Sequence, residues 1–291
     1  MAIRTDLIDG DRARSTLTPG HPVLELLGPG VSLAVARSNG ADPTYAIAVP
    51  TAAGWSVELS APPAGPDRAE LAASAVHRAV DAVTLGRPGV SVHCWVSDHG
   101  PEIEHAVRAG LSDIPLVRER HLLQLRVPLP LSSSVTRGVT DIAVDTLRPG
   151  TTDEEDWVAV NAAAFAWHPE EANRTIDDLH SRMAQPWFDG DGLLVHRDPS
   201  GSIDAFNWTV PRLDADPPMG EIYVIGVHPD AHGRGLGRAL TVAGLRHLHR
   251  RHRLEVGMLW AESDNEPARR LYASLGFTEH HRRTALVLGE R

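Results

Sequence analysis

Cysteine is almost missing from this chain: Cys94 is the only one in 291 residues. That excludes a disulfide framework and a thiolate metal cluster. Cys94 lies in the apolar run "SVHCWV" and is expected in a core. No apolar run approaches the roughly 18 residues a membrane-spanning helix needs. The opening "MAIRTDLIDGDRARS" has no apolar signal-peptide core, so a cytoplasmic protein without a membrane partner is expected. Basic charge is in deficit as well. Lys plus Arg number 28 against 38 Asp plus Glu, a net charge of −10. This argues against a nucleic-acid partner but leaves room for a local basic pocket.

The remainder is the composition of a globular protein, 42% hydrophobic and 23% charged, long enough for one large domain or two ordinary ones. The segment "VPLPLSSSVTRG", Val127 to Gly138, concentrates Pro, Ser and Gly and reads as a linker. The division expected is 1–130, a linker over 131–140, and 141–291. "WVSDHGPEIEHAVRAGL" (Trp95 to Leu111) and "WAESDNEPARRLYASLGF" (Trp260 to Phe277) agree at Trp, Ser-Asp, Pro and Gly once one insertion is allowed. The two halves therefore read as an old duplication. In the second half, "TTDEEDWVAVNAAAF" and "TIDDLHSRM" have helical starts and spacing. "GLLVHRD" and "IDAFNWTV" form a hairpin around Asp198-Pro199-Ser200-Gly201. Helices from about Leu236 and from Pro267 alternate with the strands "EVGMLWA" and "TALVL". The class is mixed α/β.

The most informative stretch is "EIYVIGVHPDAHGRGLGR", Glu221 to Arg238. A strand breaks at His-Pro-Asp and runs through Gly233, Gly235 and Gly237 into a helix. A helix start offers unpaired N–H groups and partial positive charge, and glycines let a phosphate approach the backbone. No Lys-Ser/Thr follows, which excludes a nucleotide-hydrolase loop, and Leu240 spoils a dinucleotide loop. The plain alternative is a flexible surface turn.

Two motifs in order decide between these. "H-G-R-G-L-G" resembles the pyrophosphate loop of the GNAT superfamily of N-acetyltransferases, written Q/R-x-x-G-x-G/A, with His232 where Gln or Arg is usual. Asn265, Ala268, Tyr272, Gly276 and Phe277 reproduce that family's Asn-x-x-Ala-x-x-x-Tyr-x-x-x-Gly-Phe block. Within the superfamily, "VNAAAFAWHPEE", "PWFDGDGLL", "FNWTV" and "AESDN" resemble the tandem-domain mycothiol synthases. That resemblance covers Leu147 to about Thr278. It implies two GNAT-like acyltransferase domains, each a mixed sheet flanked by helices, the first degenerate. It also implies acetyl-CoA as co-substrate, no metal, and a small-molecule amine acceptor, the cysteinyl amine of cysteinyl-glucosaminyl-inositol. A monomer is expected. Another small hydrophilic amine, or a coenzyme-binding sensor without turnover, are the other readings. Val210 stands where the family has a substrate-contacting lysine, and Trp260 where it has tyrosine.

Acyl transfer from a thioester to an amine needs deprotonation of the amine, polarisation of the carbonyl, protonation of the thiolate and fixed reactants. Glu221 could take the proton, or be an exposed strand-end acid. Tyr272, with an ordinary pKa near 10, could protonate the thiolate, or be a core tyrosine. A backbone N–H from Ile225 to Val227, with Gly226 marking a bulge, would polarise the carbonyl. His232, Gly233, Arg234, Gly235, Leu236, Gly237 and Arg238 would hold the pyrophosphate. Asn265, Ala268 and Arg270 would form the opposite wall. By resemblance Glu170 contacts the sugar or inositol part, Trp208 is a pocket wall and Trp260 stacks on substrate. The run "RHLHRRHRL", with His247, His249 and His252, reads as a solvated helix end, because the adjacent arginines disfavour a cation. The first half lacks G-x-G after "WSVELSAPPAGPDR" and has Ala106 opposite Tyr272, so it is expected to perform no transfer.

Overall fold

The computed structural model describes residues 3–9, 31–38, 41–51, 54–62, 64–85, 87, 89–167 and 172–289. They group into two compact units, Met1–His121 with Arg282–Arg291, and Leu122–His281.

In the first unit, β1 (Arg4–Asp9), β2 (Ser32–Arg37), β3 (Thr44–Thr51) and β4 (Gly54–Ser60) pair antiparallel in chain order. Helix α1 (Arg68–Thr84) buries Leu71, Ala72, Ala75, Val76, Ala79, Val80 and Val83, the three- and four-residue spacing of one helix face. This crossover lays β5 (Val92–Trp95) parallel to β4. Helix α2 (Pro101–Gly110) follows, with Pro101 in its first turn, where its missing N–H has no cost. The far edge of β5 is closed by Ala285 to Leu288 of β12 (Thr278–Leu288). Cys94 is fully buried in this core, and burial pushes its thiol well above the usual range.

The second unit begins inside β6 (Leu116–Pro128). A one-turn helix α3 (Ser133–Thr136), the short β7 (Asp145–Thr146), α4 (Asp153–Ala164) and α5 (Ile176–Met183) come next. Thr175 and Asp178 close a reciprocal capping box on α5. Strands β8 (Leu193–Arg197), β9 (Ile203–Arg212) and β10 (Met219–Val227) are antiparallel. Helix α6 (Leu236–His252) crosses over to β11 (Val256–Glu262), parallel to β10, and α7 (Glu266–Ser274) leads into β12. The outer edge of β11 pairs with Leu122 to Pro128 of β6.

The halves repeat one plan. Each has an antiparallel run, a helix of 17 residues, a parallel strand and a shorter helix with proline in its first turn. The strand closing each sheet is exchanged, however. β6, which ends the first repeat, completes the second unit, and the end of β12 completes the first. The compact units are therefore not separated by a cut at 131–140. Val127 and Pro128 belong to a strand, and the final strand starts at Thr278, six residues before the expected "TALVL".

Candidate active site

The glycine loop follows β10 through a short turn at Pro229–Ala231. Gly233 and Gly235 have φ of +77° and +79°, a region L-residues avoid, and Gly235 is the N-cap of α6. A Cβ on Gly235 would stand 2.7 Å from Thr140 Oγ1, whereas one on Gly233 would meet open space. The first turn of α6 carries no acidic residue. Its N–H groups and partial positive charge are thus presented without a competing carboxylate.

The parallel ladder between β10 and β11 has three pairs and stops at Ile222 and Leu259. Beyond it the strands feed α6 and α7, and a cleft of about 680 Å³ opens. Its walls include Ile225, Gly226 and Val227 from β10, then His232, Gly233, Gly235, Leu236, Gly237 and Arg238 from the loop and α6. Asn265, Ala268 and Tyr272 come from α7. Alternate N–H groups of a strand point to its two sides, so past Ile222 those on the β11 side of β10 face this gap. The β10 irregularity lies between Ile222 and Val224, at Tyr223, not at Gly226. Gly226 is needed for a different reason: a Cβ there would stand 2.6 Å from the Phe206 ring.

Tyr272 lines the cleft with 7% of its surface exposed, packed on Phe277. Burial pushes its phenol up to about 12, away from the ordinary 10 expected of it. It is a neutral hydrogen-bond donor at physiological pH. Asn265 caps α7 by accepting from the Ala268 N–H at 3.2 Å. His232 Nε2 bonds the Val227 carbonyl at 3.1 Å, tying the loop to its strand. Arg238 binds Ser274 Oγ and the Val135 carbonyl, anchoring the start of α6 to the segment expected to be a linker.

Glu221 is also buried, not an exposed strand-end acid. Arg212 Nε donates to its Oε2 at 2.5 Å. Burial raises the carboxyl above the ordinary carboxylate range, and the Arg212 charge and hydrogen bond oppose that rise. The Arg212 guanidinium also stands 6.0 Å from the Trp187 ring, which packs on Tyr223, and Arg182 Nε donates to Tyr223 Oη at 3.1 Å.

Several expected contacts are corrected. Trp208 has no exposed surface. It is locked among Trp157, Trp187, Phe188 and Tyr223, a core residue and not a pocket wall. Arg270, expected on the opposite wall, is paired with Glu266 on the solvent side of α7 and does not line the cleft; Trp260 sits in β11 against His281. The Arg234 guanidinium turns from the cleft to Asp204 at 2.9 Å, leaving only its backbone for a phosphate. Glu170 lies outside the described residues. Sequence reasoning missed Phe165, Trp167, Thr241, Pro267 and Leu271 on the cleft wall, and Arg212 beside Glu221. Arg212 was within reach. In the β9–β10 hairpin it faces Met219, which makes it a diagonal neighbour of Glu221.

Clefts built this way define the GNAT class of N-acetyltransferases, and residues 157–277 match the acetyltransferase (GNAT) family. Over 268 residues the chain is 38% identical to the mycothiol acetyltransferase of Salinispora arenicola, spanning 91% of this chain and 81% of that one. Alignments to five further mycothiol acetyltransferases are 40–47% identical and span 54–65% of those proteins. Among solved structures it resembles a GCN5-related N-acetyltransferase from Sphaerobacter thermophilus, with TM-score 0.66 and 17% identity over 97% of this chain and 94% of that one. A tandem GNAT protein from the clavulanic acid biosynthesis pathway gives 0.63 and 18% over 99% and 98%. The chain belongs to the mycothiol acetyltransferase family.

Proposed function

We propose that this N-acetyltransferase makes mycothiol, acetylating the cysteinyl amine of cysteinyl-glucosaminyl-inositol with acetyl-CoA. The observation that carries the coenzyme assignment is the cleft itself. Two glycines at positive φ and an acid-free helix start form a cradle for a pyrophosphate, and a buried phenol stands on the facing wall. The acceptor assignment rests on the family. Acetyl-CoA supplies the activated acetyl group.

Backbone N–H groups of Gly233 to Leu236 hold the pyrophosphate. An N–H of β10 near Ile225 to Val227 polarises the thioester carbonyl. Glu221 receives one proton as the amine nitrogen forms its bond to the acetyl carbon, directly or through a water. Tyr272 donates a hydrogen bond to the sulfur as the carbon–sulfur bond breaks. A phenol at about 12 is a weaker acid than a thiol near 8.5, so complete transfer to the thiolate is uphill by about 5 kcal/mol. Tyr272 therefore stabilises developing charge more than it delivers a proton. The first unit performs no transfer. Its helix α1 also starts at a left-handed residue, but that residue is Asp67, where α6 has Gly235, and Glu70 follows in the first turn. Two acids at that point repel a pyrophosphate.

The test is release of free CoA thiol by the purified chain, with cysteinyl-glucosaminyl-inositol beside a panel of hydrophilic amines. The expected result is a kcat/KM for the cysteinyl substrate at least about 100-fold above glucosamine and free cysteine. Equal rates across the panel would sink the acceptor assignment while leaving the acetyltransferase intact.

A further inference from the structure

At the opposite end of α6 from the glycine loop, three side chains converge. The Asp189 carboxylate, in the loop before β8, lies 2.9 Å from Nε2 of His247 and 2.8 Å from Nε2 of His252, both on its Oδ2. The three candidate ligand atoms lie within 4.8 Å of one another, and the rings stand at 70°. The side chains are largely shielded, at 11%, 15% and 18% exposure for Asp189, His247 and His252. Five residues apart on a helix, the two histidines diverge by about 140°. Asp189 enters between them, which no reading of the helix alone reveals, and the expected solvated helix end holds only for its outer residues.

We propose that Asp189, His247 and His252 form a binding site for a divalent transition-metal ion of the zinc type. Imidazole and carboxylate together suit such ions, not magnesium or calcium. Nitrogen and oxygen ligands at about 2.0–2.1 Å in a tetrahedron stand roughly 3.3 Å apart. Each imidazole therefore has to withdraw from the carboxylate oxygen by about half an ångström, and the two nitrogens, within 4.8 Å of one another, have to reach the same spacing. The cation then takes the place of the two N–H hydrogens, and both rings move to the Nδ1–H tautomer. Water or Asp191 completes the shell.

Arg251 is the competitor. Its Nε is 3.4 Å from Asp189 and its Nη1 is 3.2 Å from Asp191, with about half of its side chain exposed. It is free to swing into solvent when the ion enters. An ion there would pin the loop carrying Trp187 and Phe188, which pack on Trp208, to the end of α6. Trp187 also packs on Tyr223 and lies under Arg212, the partner of Glu221, so the site would steady the surroundings of that carboxylate.

The experiment uses the full, untagged chain, stripped with chelator and titrated with Co²⁺ and then Zn²⁺. The expected result is one Co²⁺ per chain with the visible bands of a four-coordinate ion, displacement by Zn²⁺, and a melting temperature that rises with free Zn²⁺. Asp189→Asn and His252→Gln should each weaken Zn²⁺ binding at least about tenfold. His252→Gln retains an amide N–H for Asp189, so it separates loss of the metal from loss of the fold. Arg251→Gln, which removes the competing cation, should tighten binding. No binding at about 100 μM free Zn²⁺, or binding unchanged in both ligand variants, would overturn the site and leave the three side chains a hydrogen-bonded staple.

Discussion

Glu221 and Tyr272 are both buried, yet their neighbours differ in a way that assigns them different work. Among the described residues no charged group acts on Tyr272, so desolvation acts alone and the phenol stays neutral. Glu221 has desolvation set against a permanent cation, and because the chain contains no lysine that cation has to be arginine. Arg212 lowers the Glu221 pKa, so its removal raises it. A base works only when deprotonated. Arg212→Gln should therefore move the acid limb of the kcat/KM profile to higher pH, and Glu221→Gln should abolish that limb, with a loss of activity that grows as pH rises through it. Tyr272→Phe should slow turnover by roughly 10²–10⁴-fold with coenzyme affinity nearly intact. The pH–rate profiles and isothermal titrations of these variants check all three. Full turnover in both Glu221→Gln and Tyr272→Phe would mean that positioning alone carries the reaction.

At the scale of elements, the start of α6 shows that glycines in one motif are not equivalent. Gly235 holds a left-handed φ and faces Thr140, while Gly237 would place a Cβ at ordinary contact, 3.5 Å from Leu271. Gly235→Val should weaken acetyl-CoA binding by at least about 100-fold, since strain of about 1–3 kcal/mol adds to a blocked approach. Gly237→Ala should cost less than about threefold, because Ala is the better helix former. Calorimetry with acetyl-CoA distinguishes the two, and equal losses would refute the reading of the loop. The same turn is braced from behind. Asp204 takes Arg234 at 2.9 Å on one oxygen and His196 at 2.5 Å on the other, so the arginine between the glycines supports the loop from outside the cleft.

For the whole molecule, the exchanged closing strands decide what can be cut. Leu286 and Leu288 of β12 sit in the core of the first unit, and their strand covers the edge of β5. A fragment ending at Leu131 lacks both, exposes an unpaired edge and should aggregate or melt far below the full chain in thermal denaturation. A test of whether the first unit holds coenzyme therefore belongs on the intact chain. The expected stoichiometry there is one acetyl-CoA per chain, abolished together with activity by Gly235→Val. Two equivalents in the wild type, one of them surviving Gly235→Val, would show a working first site.

The sequence by itself determined the mixed α/β class, the repeat, the glycine loop and the α7 motif. Each of these is local: a period, a cap or a φ requirement is written within a few residues, as at Gly235 or the Thr175–Asp178 box. Only the tertiary structure decided that Trp208 is core and that Arg234 and Arg270 turn from the cleft. It also decided that Arg212 neutralises Glu221 and that Asp189 reaches His247 and His252. Those outcomes depend on partners 4 to 63 residues away, chosen by strand register and helix packing. The exchange of β6 and β12 was hidden for the same reason. Which strand closes which edge is settled by pairing with partners distant in sequence, β6 with Val256–Glu262 and β12 with Val92–Trp95.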